Sequence, residues 1–113
     1  MVEHLAYTEV PDNAADHDGF EQHVLLYSYN QMLTHNVIEP GAESPYHNHP
    51  HEQIGYVVSG TGTQIVDGEE YELTPGTCYL LDSGEKHAMR ADGDEPLEVL
   101  DIFHPVREDY IPE

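Results

Sequence analysis

Positive charge is nearly missing from this chain. Its 113 residues hold one lysine and two arginines against 23 aspartates and glutamates, a formal net charge of -20. The acids are spread along the sequence and do not form a tail. Such a surface repels nucleic acid and anionic membranes, so neither is expected as a partner. Self-repulsion of this size also disfavours the compact state until ions screen it. The composition therefore predicts a halophilic, salt-rich cytoplasm, and a fold that is lost on desalting. The blander alternative, an ordinary acidic protein, fits less well with so little lysine across a whole domain.

Other absences narrow the class further. With Cys78 as the single cysteine no internal disulfide can form, and its place in the apolar run Cys78-Tyr79-Leu80-Leu81 predicts a buried, inert thiol. No apolar run is long enough to cross a bilayer. The start Met1-Val2-Glu3-His4 lacks the basic and apolar regions of a signal peptide, so the expectation is a soluble, cytoplasmic protein. The length suits one compact domain that buries roughly two-thirds of its unfolded surface.

No segment of ten or more residues shows helical periodicity. Short apolar or alternating segments recur instead over 23–29, 32–39, 53–59, 62–66, 69–73, 78–81, 87–90 and 97–103, with Gly, Pro, Asp or Asn between them. Eight strands at this cadence predict an all-β antiparallel sandwich or barrel. Ser59-Gly60-Thr61-Gly62, Asp67-Gly68 and Thr74-Pro75-Gly76 read as tight turns, as do Pro11-Asp12-Asn13 and Asp16-His17-Asp18-Gly19 near the start. The expected layout is an N-terminal arm over 1–22, a barrel over 23–104 and a tail over 105–113 lying across the barrel surface or mouth.

The chemistry concentrates between Gly41 and Gly60. Five residues separate Gly41 from His47, one separates His47 from His49, three separate His49 from Gln53, and six separate Gln53 from Gly60. On an extended strand a spacing of two points both imidazoles to one face, where they can converge on one metal ion. Pro50 interrupts the strand, so His51 is expected beside the site or solvated. Glu52 replaces Gln53 as a ligand only if the register slips by one. His4, His17, His23, His35 and His104 lack partner spacing and read as solvated or packed.

That spacing resembles the first motif of the cupin superfamily, which usually has glutamate where Gln53 stands. A second cupin motif follows as Gly68, Pro75-Gly76 and Asp82-Ser83-Gly84-Glu85-Lys86-His87, with Asp82 replacing a frequent proline and Ala91 an expected asparagine. The resemblance implies a single-domain jelly-roll barrel in which His47, His49, Gln53 and His87 bind one divalent metal. Three imidazoles and an amide oxygen suit manganese, iron(II), cobalt, nickel or zinc. With no anionic ligand, the ion would keep most of its charge and be a strong Lewis acid. A homodimer, with strand exchange through the arm, is also implied by the resemblance.

The third signal is Asp101-Ile102-Phe103-His104-Pro105-Val106-Arg107-Glu108-Asp109-Tyr110. On a strand Asp101 and Phe103 share one face, and if Ile102 packs outward Asp101 lies inside the barrel near the metal. A carboxylate there has either a task or a large desolvation cost. Arg107 suits bidentate capture of a substrate carboxylate, and equally a surface ion pair with Glu108, Asp109 or another acid. The pattern Asp-x-Phe-x-x-x-Arg-Glu-Asp-Tyr, with His-Pro-His-Glu-Gln, resembles the small cupins of the KdgF type over residues 20 to 111.

That resemblance implies conversion of cyclic 4,5-unsaturated monouronates, from pectin or alginate, to linear 5-keto-4-deoxyuronates, with Asp101, Phe103 and Arg107 as functional residues. The expected partner is thus a small carboxylate sugar. Two alternatives compete: an iron-dependent cupin dioxygenase, and a non-catalytic cupin that binds metal or a small ligand.

Overall fold

In a computed structural model of the chain, residues 2–12 and 18–111 are described. Eight strands form: β1 (Phe20–Tyr27), β2 (Met32–Ile38), β3 (Glu52–Ser59), β4 (Gly62–Val66), β5 (Glu69–Leu73), β6 (Cys78–Leu81), β7 (His87–Ala91) and β8 (Leu97–His104). The order β1-β2-β8-β3-β6 makes one sheet and β5-β4-β7 the other, with every pairing antiparallel. This is the expected all-β jelly roll. The only helical pieces among the described residues are single 3-10 turns at Tyr7–Glu9 and Glu108–Tyr110, and no helix is long and apolar enough to cross a membrane.

Each strand has its phase set by which alternate residues go inside. In β3, Gln53, Gly55 and Val57 are buried while Glu52, Ile54, Tyr56 and Val58 face out. The strand expected over 23–29 begins earlier, at Phe20, and stops at Tyr27 because Ser28 N–H bonds the Gln31 carbonyl and closes the hairpin. The β4–β5 hairpin turns on Asp67 and Gly68, both with positive φ, 49° and 86°. That is the signature of the two-residue turn whose twist matches the flanking strands. At Gly60 a Cβ would come within 2.2 Å of the Pro96 carbonyl oxygen, so no larger residue fits there.

Apolar packing lies at two places between the sheets. Ile38, Val57, Leu73, Ala91, Leu97 and Val99 fill one end of the barrel. A smaller group of Val24, Met32, Phe103 and Val106 carries the C-terminal segment, with Tyr110 and Ile111 packed against it. Between these groups the interior is polar, with His49, Gln53, Gln64, His87 and Asp101 all buried.

The described part of the arm lies along β1 and β2. Tyr7 stacks on His35 at 4.1 Å, Val10 O is 2.7 Å from His23 Nδ1, and the Gln22 N–H donates to Asp12 Oδ1 at 2.9 Å. His23 and His35 are therefore packed, whereas His4 and His104 are exposed. The expected turn at Asp18-Gly19 is present, with Gly19 at φ +83°; Asn13, Asp16, His17 and Pro112 lie outside the described residues.

One expectation is corrected. Cys78 is exposed on β6, an edge strand. The run Cys78-Tyr79-Leu80-Leu81 is apolar at every position, so it does not reveal its own phase. Tyr79 and Leu81 take the inner face, and Cys78 and Leu80 are left outside.

Candidate metal centre

Two backbone connections bring the histidines together. His47 lies in the loop before β3 and forms a two-way bridge to His87 at the start of β7, with N–H to O distances of 3.0 and 2.8 Å. The His49 carbonyl accepts from Gly84 N–H at 2.8 Å, which ties the same loop to the turn before β7. One ring nitrogen each from His47, His49 and His87 then lies within 4.8 Å of the others, close enough to share an ion. Among the described residues this is the single such group.

The rings are held in one tautomer by carbonyls two residues away in the chain. Nδ1 of His47 is 2.7 Å from Pro45 O, that of His49 is 3.0 Å from His51 O, and that of His87 is 2.9 Å from Glu85 O. Each Nδ1 must carry the proton, since a carbonyl can only accept. This leaves the Nε2 lone pairs for a metal.

Gln53 supplies an independent test of metal fit. It is buried at the start of β3, and its Oε1 lies 3.1 Å from His49 Nε2. Its amide also hydrogen-bonds Asp101, which turns the NH2 end toward that carboxylate. Two lone pairs, one on His49 and one on Gln53, thus face each other with no proton between them. Burial first, and then the positive Arg107, lower the His49 pKa to about 4, so the ring does not supply that proton at neutral pH. Neighbouring ligands bound to a divalent ion at about 2.1 Å stand about 3 Å apart, so the pair is spaced to share a cation. Burial also lowers the pKa of His87. The donor set fits a divalent transition metal.

Asp101 projects inward from β8 and is 5% exposed. Tyr79 Oη donates to its Oδ1 at 2.6 Å and Asn36 Nδ2 to its Oδ2 at 3.0 Å. Burial raises its pKa above the ordinary aspartate value, and the bonds from Tyr79, Gln53 and Asn36 act against that rise. Tyr79 is itself pushed well above the usual phenol value, first by burial and then by the Asp101 charge. Phe103, two residues on, packs edge-on against His49 with ring centroids 5.8 Å apart.

Arg107 is buried and lines the same cleft, a space of about 470 Å³ that also contains the histidines, Gln53 and Asp101. Its guanidinium lies over the Tyr110 ring at 3.9 Å and pairs with Asp109, Nη2 to Oδ2 at 2.6 Å and Nε to Oδ1 at 3.2 Å. Arg107 is thus both ion-paired and turned to the site. All seven residues singled out in the sequence, four as expected metal ligands and three as expected functional residues, line one cleft.

His51 is half-buried beside this group and touches it through its carbonyl, while Glu52 is exposed and the register is unslipped. Tyr79 and Asn36 were not legible as site residues. Tyr79 reaches Asp101 because β6 pairs with β3 opposite Gly55, and Asn36 because β2 pairs with β8. No motif reports either register.

Residues 35–103 match the family described as the cupin domain, and the chain belongs to that family. It is 31% identical over 110 residues to the L-ectoine synthase of Hyphomonas neptunium, covering 93% of this chain and 82% of that protein. It is 28% identical over 95 residues to the pectin degradation protein KdgF of Dickeya dadantii, covering 83% and 86%. Against other ectoine synthases, such as that of Vibrio campbellii, the chain spans 62% of their length. The solved structure of KdgF from Halomonas sp. superimposes with a TM-score of 0.89 at 25% identity, over 98% of this chain and 100% of that one.

Proposed function

We propose that this cupin opens cyclic 4,5-unsaturated monouronates to linear 5-keto-4-deoxyuronates. The observation that carries the reading is the buried Asp101 carboxylate in one cleft with a three-histidine metal cluster and a buried arginine. The likeness to KdgF proteins over nearly the whole chain supports it.

His47, His49, His87 and Gln53 would hold the ion, which supplies Lewis acidity toward substrate oxygens. Arg107 binds the substrate carboxylate; Asp109 holds its Nε and Nη2 edge and Tyr110 lies under its plane, so the cation is fixed before substrate arrives. Asp101 takes the proton from the hydroxyl on the hemiacetal carbon. The bond from that carbon to the ring oxygen breaks, leaving an aldehyde and an enolate at the old alkene. Asp101 returns the same proton to the alkene carbon distal to the carboxylate, and the enolate becomes a ketone. Nothing is lost or gained, so the reaction is an isomerisation. Tyr79 and Asn36 aim the carboxylate, and Phe103 forms an apolar wall that excludes water.

The test is the ultraviolet loss of the conjugated double bond of a 4,5-unsaturated monouronate, in concentrated potassium chloride, against its spontaneous rate. Acceleration by metal-loaded protein that chelator abolishes is expected. Folded, metal-bound protein without acceleration would remove this reading. A second reading, ectoine formation, is favoured by the 31% identity to the Hyphomonas synthase, and binding of ectoine by calorimetry without any action on uronate would favour it. Oxygen consumption would instead point to a dioxygenase.

The proposed setting is a salt-rich cytoplasm, supported by the net charge of -20. The proposed assembly is a homodimer. Leu80, Ile54 and Ile102 stand side by side on adjacent strands of the outer face, each about half exposed, and none carries the charge that would drive copies apart.

A further inference from the structure

One buried polar side chain in the cleft has no part in that chemistry. Gln64 on β4 is 3% exposed and lines the cleft, and its Nε2 has no hydrogen-bond partner among the described residues. An amide donor shut away without a partner is unfavourable, and a leucine of similar bulk would fill the place without that penalty.

The strand register says what it faces. Gln64 pairs across the sheet with Met89, two residues inward from His87. Asp101 lies two residues inward from Phe103, the ring that packs on His49. One rung beyond the imidazoles, Gln64 and Asp101 therefore line the cleft from opposite sheets. Met89, beside Gln64, offers nothing stronger than a thioether as an acceptor.

We propose that Gln64 is a specificity-determining donor, whose side-chain NH2 bonds a hydroxyl or carbonyl oxygen on the substrate face turned away from Asp101. The proposal rests on the uronate reading and deepens it. A sugar ring held by Arg107 at its carboxylate and worked on by Asp101 from one side carries hydroxyl oxygens elsewhere around the ring. An occupant without an oxygen at that place leaves the amide buried and unpaired, which is how such a site rejects it.

The experiment compares wild type with Gln64→Leu, both metal-loaded, in the uronate assay. Metal content and melting temperature should be retained while kcat/KM falls about tenfold or more, the effect of one lost hydrogen-bond donor. A second measurement does not depend on the variant folding. In zinc-loaded wild type, the assigned side-chain NH2 resonances of Gln64 should shift as D-galacturonate is titrated in. A variant within about twofold of wild-type kcat/KM, or Gln64 resonances that stay put while other cleft signals move, overturns this inference and leaves the uronate reading standing. Wild type that neither accelerates ring opening nor shows any cleft shift overturns both.

Discussion

Asp101 is the residue on which the proposed chemistry turns, because a buried carboxylate is unfavourable unless donors or a task account for it. Its three neutral donors keep it usable as a base, and its raised pKa suits a proton carrier. Asp101→Asn should lower turnover at least about 100-fold with metal content intact; a variant that keeps its rate would remove the proton-transfer role. In wild type the acid limb of the rate profile should lie above the ordinary aspartate value of 3.8. His49 makes a second residue-scale prediction. Its pKa falls from 6.5 unfolded to about 4 folded, so its contribution to stability is whole above pH 6.5 and is lost as pH falls toward 4. Acidification also relieves the acidic surface, so the comparison needed is metal-free wild type against His49→Leu. Urea midpoints should show wild type losing ground to the variant across that window, and parallel curves would contradict the shift.

At the scale of elements, the decisive contact is between β3 and β6. Gly55 lies opposite Tyr79, and a Cβ there would come within 2.0 Å of the Tyr79 ring. Gly55→Ala must push the ring away and break its bond to Asp101. A loss of about 1–3 kcal/mol in stability and a fall in turnover are expected together. Unchanged melting and unchanged rate would show that the ring has another seat. The strands themselves were legible in the chain, since turn residues separate each short apolar run and alternation marks the inner face of β3 and β8. Tyr79 was not, because an apolar run without alternation hides its phase, as the exposed Cys78 demonstrates.

For the whole molecule, the charge of -20 governs behaviour in solution. Raising ionic strength from 0.1 M to 1 M shortens the Debye length from about 10 Å to about 3 Å, so repulsion between neighbouring carboxylates is largely removed. Melting followed by circular dichroism should move to higher temperature across a potassium chloride series, and a flat series would sink the halophilic reading. The same screening should permit the proposed dimer. Sedimentation in concentrated salt should give twice the chain mass, and Ile54→Lys on the outer face should return it to one; a monomeric wild type would remove that assembly.

The sequence by itself determined the class of fold, the two-residue spacing of His47 and His49, and the shared face of Asp101 and Phe103. These depend on local spacing: a period of two along a strand, and fixed offsets from glycines that permit the turns. The tertiary structure decided everything that depends on register between strands far apart in sequence. It set Tyr79 and Asn36 on Asp101, placed Gln64 across the cleft from it, and gave Arg107 to Asp109 within the site and not to the outer surface. Such contacts follow from which strand lies beside which, a choice made by the burial of the whole barrel and one that no single segment encodes.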